Sequence, residues 1–192
     1  MRTPTENRAT ILGCALSLFA ARGYDAIGVQ DVAAAAGVTK PTLYHYFGSK
    51  RGLLDSLVRE GLAPLLAELG AAGEYRGDLP LTLRQVVRTY FQFAAREPAL
   101  YRMLLAMSFG PPDNDAFQIV SAAHGRQRQL LERLFEEAAA DHGNMRGRQR
   151  LYAALLLGVI NTYLGLHLNG QLSLNEAAIS QAVQHFSHGI YS

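Results

Sequence analysis

Apolar residues recur every third or fourth position over nearly the whole chain, and no long stretch alternates apolar with polar as a strand would. The pattern predicts an all-α protein, cut by capping residues, glycine and proline into about nine helices. The first opens on Thr3-Pro4-Thr5-Glu6. Threonine is the N-cap, proline falls where its missing N–H costs nothing, and glutamate completes a capping box. Ile11, Ala15, Leu18 and Phe19 share its buried face, and Gly23 is expected to end it as a left-handed cap. A short helix over about 29–36 stops at Gly37, and Val38-Thr39 leads into a third helix with Pro41 in its first turn and Gly48 at its end. Ser49 caps a fourth that runs through Leu53, Leu57, Leu62, Leu65 and Leu69 to a glycine-rich break over 70–80. Further helices are expected at about 81–95, 98–109, 115–140, 147–169 and 174–190. Gly110-Pro111-Pro112-Asp113 and His142-Gly143-Asn144 read as loops, and Ser173 with Glu176 as a second capping box.

The chain has 192 residues, 49% hydrophobic and 18% charged, which suits a folded protein with one large or two small cores. Its net charge of +2 does not argue for nucleic acid, but the distribution says more. Residues 1–51 carry six basic and three acidic side chains, a net +3, which leaves −1 for the remainder. The only two lysines, Lys40 and Lys50, fall within eleven residues of each other. A basic end on a near-neutral body fits a local anionic partner, although counts this small also arise by chance.

Several function classes drop out. The single cysteine, Cys14, excludes an intrachain disulfide and a cysteine metal site, and its place beside Ile11 and Leu18 suits packing. His185 and His188 are three apart on a helix but lack a third ligand, so neither metal nor cofactor is expected. There is no phosphate loop, zinc-protease His-Glu pair or nucleophile elbow, so no enzyme is expected. The N-terminus does not read as a signal peptide. Residues 151–175 carry no charge and are long enough to span a bilayer. However, Asn161, Thr162, His167, Asn169 and Gln171, with Gly158 and Gly165 as interruptions, suit a helix in a protein interface better. The expectation is a cytoplasmic protein with no membrane partner.

Two short helices joined at Gly37, the second opening on a polar and basic turn, make a helix-turn-helix. The glycine permits the tight turn, the first helix braces the second, and the second offers its N-terminal end to a major groove. Lys40 and Lys50 place charge at both ends of that helix, with Thr39, Thr42, Tyr44, His45 and Tyr46 as donors between.

The run Gly23-Tyr24, Val29-Gln30-Asp31-Val32-Ala33, and Ala36-Gly37-Val38-Thr39-Lys40-Pro41-Thr42-Leu43-Tyr44-His45-Tyr46-Phe47-Gly48-Ser49-Lys50 resembles the DNA-binding signature of the tetracycline-repressor (TetR) family of bacterial regulators. The likeness covers about fifty residues, and the rest matches only in length and helical character. It implies that Thr39, Lys40, Thr42, Tyr44, His45 and Tyr46 touch DNA, with 40, 42, 44 and 45 reaching base edges. It further implies that Pro41 is placed to meet a thymine methyl, that Lys50 contacts phosphate, and that Leu43 and Phe47 hold the helix from within. Tyr44 and Tyr46 as packing residues, and Lys50 as an ordinary solvated lysine, remain the plain alternatives. Two departures stand out. Gly28 replaces the usual hydroxyl cap, leaving Asp31 to favour the helix start, and Arg51-Gly52 replaces an acidic start to the fourth helix, which adds a possible phosphate contact.

The resemblance also implies domains at 1–48 for DNA binding and 49–192 for ligand binding and dimerisation. Ala154, Gly158, Asn161, Thr162, Gly165 and Asn169 lie near one face of the eighth helix, where small residues permit close approach. Ile179, Ala182, Val183, Phe186 and Ile190 form an apolar stripe on the ninth. Both are expected in a homodimer interface, and both also suit internal burial. The middle helices are rich in large apolar side chains: Tyr90, Phe93, Met103, Met107 and Phe117, with His124 nearby. These suit a pocket for a small, mostly apolar effector, with Arg88, Tyr90, Arg102 or His124 as polar anchor, and they suit an ordinary core equally. The expected function is a ligand-responsive regulator, a repressor in preference to an activator, binding a palindromic operator in double-stranded DNA as a dimer. The alternative is a helical interaction module whose helix-turn-helix no longer binds DNA, against which Lys40, Tyr44 and Lys50 together speak.

Overall fold

Local chemistry sets the helix ends close to where the sequence puts them. The computed structural model describes residues 3–191, and among these lie nine α-helices and no strand. They are α1 (Pro4–Arg22), α2 (Val29–Ala36), α3 (Lys40–Phe47), α4 (Lys50–Ala72), α5 (Leu79–Arg96), α6 (Pro98–Met107), α7 (Asp115–Ala138), α8 (Gln149–Leu168) and α9 (Glu176–Tyr191). At the start of α1 the capping box is closed in both directions. The Glu6 N–H donates to Thr3 Oγ1 at 3.2 Å, and the Thr3 N–H donates to Glu6 Oε2 at 2.7 Å. Gly23 ends α1 differently from the left-handed cap expected. With φ 82° and ψ 155° it turns the chain in an extended conformation of positive φ, which only glycine adopts at low cost. Leu18 is half-buried, while Ile11, Ala15 and Phe19 are buried.

Two further local readings are corrected. Ser173 does not cap α9; Asn175 does, its Oδ1 accepting the Ala178 N–H at 2.9 Å. Both are cap-forming residue types, and the one adjacent to the first helical residue has the shorter reach. Glu176 turns outward instead, to Arg84 and Arg88. The segment His142-Gly143-Asn144 is not a plain loop, since Gly143–Met145 forms a single 3-10 turn.

The helices assemble into two compact units. The first comprises Met1–Leu62 with Ala99–Ala123, and the second Ala63–Pro98 with His124–Ser192. This partition does not follow a simple cut after residue 48, because the first unit also takes in the start of α4 and parts of α6 and α7. In the first unit, α1 packs on α2 and α2 on α3, around Ile11, Phe19, Ile27, Val32 and Leu43. In the second, α5, α8 and α9 pack mutually. Phe135 lies against Tyr152 and Phe186 there, and Phe91 stacks on Tyr163. Burying side chains of this size is what holds such a helical unit, at about 1.5–3 kcal/mol each.

By length and hydropathy α8 is the one helix among the described residues that passes the test for crossing a membrane. Its Tyr152, Ala153, Leu156, Leu157, Ile160, Tyr163 and Leu164 are buried within the protein. The other side of α8 is apolar and open: Leu151, Leu155 and Leu166 are exposed by 57%, 49% and 38%.

Candidate nucleic-acid interface

Helix α2 starts without a hydroxyl cap, and its first turn is held by Asp31, whose Oδ2 accepts the Gly28 N–H at 2.7 Å. It ends at Gly37, where φ 66° and ψ 35° place the residue in the left-handed region. The Gly37 N–H returns to Ala34 O at 3.1 Å and the Val38 N–H to Ala33 O at 3.0 Å, so the turn satisfies the last carbonyls of α2. Thr39 then caps α3: its Oγ1 accepts the Thr42 N–H at 3.3 Å and lies 2.8 Å from Thr42 Oγ1. Pro41 follows in the first turn, where no backbone donor is missed.

The eight residues of α3 and its N-cap Thr39 divide cleanly. Leu43 and Phe47 are buried and anchor the helix. Thr39, Lys40, Pro41, Tyr44 and His45 are exposed, and Thr42 and Tyr46 are half-buried. The Lys40 Nζ stands 5.6 Å from the centroid of the Tyr44 ring. His45 meets the edge of Tyr46 at 5.5 Å, and Tyr46 leans on Phe47 at 6.1 Å. The helix and its N-cap thus present a cation, two threonine hydroxyls, two phenols and an imidazole on an anchored frame. Together those groups donate to phosphate oxygens, and both donate and accept at base edges.

The corner after α3 is tight. The Gly48 N–H donates to Tyr44 O at 2.8 Å, and Ser49 Oγ accepts the Gly52 N–H at 2.9 Å, so Ser49 caps α4 as expected. A Cβ on Gly52 would stand 2.1 Å from Phe47 O. Glycine at this position is therefore a requirement of the α3–α4 corner. Lys50 is half-buried, with Nζ 4.1 Å from the Tyr24 ring centroid, and burial lowers its pKa. Burial first, then the Asp115 and Asp25 carboxylates, push the Tyr24 hydroxyl up to about 12. Arg51 does not stand free for phosphate as expected. Its Nη1 is paired with Asp115 and donates to Gln118 Oε1 at 2.9 Å. Nothing in the sequence signalled these partners, which lie on another helix more than sixty residues away.

The expected effector residues fall in both units. Tyr90 and Phe93 are buried in the second, where the Tyr90 hydroxyl donates to the buried Gln127 at 3.0 Å. His124 belongs to the same unit and is half-buried; burial, with Arg128 nearby, keeps its pKa below the usual histidine value. Met103 and Met107 are buried and Phe117 half-buried in the first unit. Met107 lines a cavity of about 330 Å³ there, with Phe19, Tyr24, Pro111 and Asn114. Neither unit alone gathers all six. Arg88 is spent on Glu176, with three contacts of 2.7–3.1 Å, and Arg102 is exposed.

Of the expected interface residues, Ala154, Gly158 and Thr162 are exposed and Gly165 and Val183 half-buried. Ile179, Ala182 and Phe186 are buried inside this chain, so they are core of the second unit and not an open stripe. The side chain of Ile190 lies outside the described residues. Leu151, Leu155 and Leu166, which the sequence reading passed over, complete the open face of α8. Their spacing from Ala154 and Thr162 was the signal available.

Residues 11–57 match the family model described as bacterial regulatory proteins, tetR family. The chain is 25% identical over 184 residues to the transcriptional activator FasR of Mycolicibacterium smegmatis, covering 96% of this chain and 82% of that protein. It is 37% identical over 144 residues to the transcriptional repressor KstR2 of the same species, covering 72% and 67%. A crystal structure of a TetR-like transcriptional regulator from Rhodococcus sp. RHA1 shares the fold with a TM-score of 0.77 at 20% identity, over 99% of this chain and 98% of that one. The helix-turn-helix geometry, the matched segment and these relatives lead to one conclusion: the chain belongs to the TetR family of transcriptional regulators.

Proposed function

We propose that this regulator is an effector-responsive repressor that binds a two-fold operator in double-stranded DNA as a homodimer. The observation that carries the reading is the polar face of α3. Lys40, Tyr44 and His45 stand exposed on a helix whose opposite side, Leu43 and Phe47, is fixed in the core. An anchored helix with an exposed mixed donor face is what a major groove reads. In this reading residues 1–48 hold the DNA contacts at Thr39, Lys40, Pro41, Thr42, Tyr44, His45 and Tyr46, Lys50 adds one from the start of α4, residues 49–192 otherwise take the effector and the partner subunit, and the protein works in the cytoplasm.

Dimerisation is supported by the open side of α8. Leu151, Leu155 and Leu166 alternate there with the small residues Ala154 and Gly158, a surface that loses free energy only when a partner covers it. Repression is favoured by the 37%-identical relative, a named repressor; the 25%-identical relative is a named activator, and activation is the second reading. A mostly apolar effector is supported by the large apolar side chains Tyr90, Phe93, Met103, Met107 and Phe117, with His124 as a polar group held towards neutrality. Such an effector releases DNA only if it binds better to a state that misplaces the recognition helices.

Selection of duplexes from a random-sequence library by the purified protein tests the reading. Enrichment of a two-fold symmetric site, lost in Tyr44→Ala and Lys40→Ala variants that keep the wild-type mass in solution, is the expected result. No enrichment by wild type, or unaltered binding by both variants, would overturn it.

A further inference from the structure

Arg51 carries a contact that the DNA-reading face does not use. It is the second residue of α4, next to Lys50, on the turn that follows the recognition helix through Gly48 and Ser49. Its guanidinium spends Nη1 on two acceptors, the Asp115 carboxylate and Gln118 Oε1. Both acid and base remain about half exposed, at 45% and 47%.

Asp115 is held in place and does not merely drift near. It is the first residue of α7, directly after Asn114, whose Oδ1 accepts the Ala116 N–H at 2.8 Å and the Phe117 N–H at 3.3 Å. The other end of the Asn114 amide donates to Asp25 Oδ2 at 3.0 Å, which ties the start of α7 to the turn between α1 and α2. The carboxylate is therefore presented to Arg51 by a cap and a clamp. Gln118 alone would give Arg51 a neutral acceptor. The added charge of Asp115 opposes any phosphate that approaches the same guanidinium.

We propose that Arg51 is a gated phosphate contact, occupied by Asp115 in the free protein and transferred to a backbone phosphate when DNA binds. The exchange is feasible because a half-exposed ion pair is worth little in water. A phosphate offers a planar guanidinium the same two-oxygen acceptor as a carboxylate, and docking releases counterions besides. Asp115 thereby sets a threshold on affinity, since each recognition head must give up one internal ion pair to close on DNA. The proposal rests on the reading of the chain as a DNA-binding regulator.

The test is a double-mutant cycle on one duplex, enriched by the wild-type protein from a random library, with binding titrated across salt. Asp115→Asn should bind tighter by about two- to fivefold per head, the strength of one half-exposed pair. Arg51→Gln should flatten the slope of log K against log salt by about 0.9 per head, one phosphate contact. In the Arg51→Gln background, Asp115→Asn should have little effect. Asp115→Ser, which also keeps a helix-starting polar side chain, should reproduce Asp115→Asn, and the thermal midpoints should stay near wild type. Equal tightening in both backgrounds would reduce Asp115 to general repulsion, and weaker binding by both Asp115 variants would make it a support of the head; either overturns the gate. So does an unchanged salt slope in Arg51→Gln. Wild type that enriches no duplex would instead overturn the DNA-binding reading, and the gate with it.

Discussion

Arg8 and Glu60 are joined by two parallel hydrogen bonds, Nη1 to Oε2 at 2.6 Å and Nη2 to Oε1 at 2.5 Å, and the same guanidinium lies 5.2 Å from the centroid of the Phe47 ring. The pair therefore ties α1 to α4 across the last residue of the recognition helix. Paired this way, the carboxylate of Glu60 is held below its ordinary pKa, first by the hydrogen bond from Arg8. A depressed carboxylate stabilises the fold above its unfolded pKa and loses that contribution as pH falls through the folded value. Both side chains are at least one-third exposed, at 33% and 40%, so solvent limits the pair to about 0.5–1 kcal/mol. Arg8→Met should lower the thermal midpoint at pH 7. The gap between variant and wild type should narrow below about pH 4.5, leaving only what the stem and cation contribute against Phe47. Melting curves followed from pH 7 to pH 3 check this; a gap that widens in acid would show that the ion pair is not its source.

Gly52 should tolerate no side chain. A Cβ would meet Phe47 O at 2.1 Å and Phe47 C at 3.3 Å, both backbone atoms of the recognition helix's last residue. Gly52→Ala must therefore shift the α3–α4 corner, at a cost of about 1–3 kcal/mol by analogy with overpacking. Gly13 is the control. It sits exposed in α1 with nothing within 4 Å of its added Cβ, so Gly13→Ala should stabilise by up to about 1 kcal/mol through helix propensity. Urea unfolding of the two variants should move the midpoint in opposite directions.

Much of this molecule is legible in the sequence because its signals are local. Thr3 and Glu6, Gly37, Thr39, Gly48 and Ser49 act within four residues of themselves, and each marks the helix end that the structure shows. The recognition helix could be read for the same reason: Leu43 and Phe47 are one turn apart and inward, Lys40 and Tyr44 one turn apart and outward. Periodicity stops short where it must say what covers an apolar face. Ile179, Ala182 and Phe186 look like a stripe awaiting a partner, and only the fold reveals that Phe135 belongs to the same core. Arg51 illustrates a different limit. Its acceptors Asp115 and Gln118 are distant in sequence, and one arginine's choice among sixteen acids has no local signature.

The open face of α8 predicts which residue carries assembly without carrying the fold. Leu155 is 49% exposed in the single chain, so Leu155→Glu removes little internal packing but puts a charge at the centre of the proposed interface. The expected outcome is a monomer at micromolar concentration with a far-UV spectrum of unchanged helicity. Leu156, its neighbour, is fully buried, and Leu156→Glu should instead unfold the second unit. Sedimentation velocity with circular dichroism separates the two. A dimeric Leu155→Glu variant would move the interface away from this face.

Tyr44 and Lys40 lie together, with the ammonium 5.6 Å from the ring centroid, and the way each loss shows on DNA separates a base contact from a phosphate contact. Tyr44 is 40% exposed and offers a directional hydroxyl and an apolar ring. Losing it in Tyr44→Ala should cost about 1–3 kcal/mol on the selected site and leave non-specific binding largely intact, so discrimination falls. Lys40 heads the same helix as a mobile charge, and Lys40→Met keeps its stem. If its main partner is a phosphate, that variant should weaken specific and non-specific duplexes alike and flatten the salt slope by about 0.9 per head. If it reads a guanine edge instead, Lys40→Met should behave as Tyr44→Ala does, with loss confined to the selected site. Titrating both variants against the selected and a scrambled duplex at several salt concentrations assigns one of these roles to each side chain.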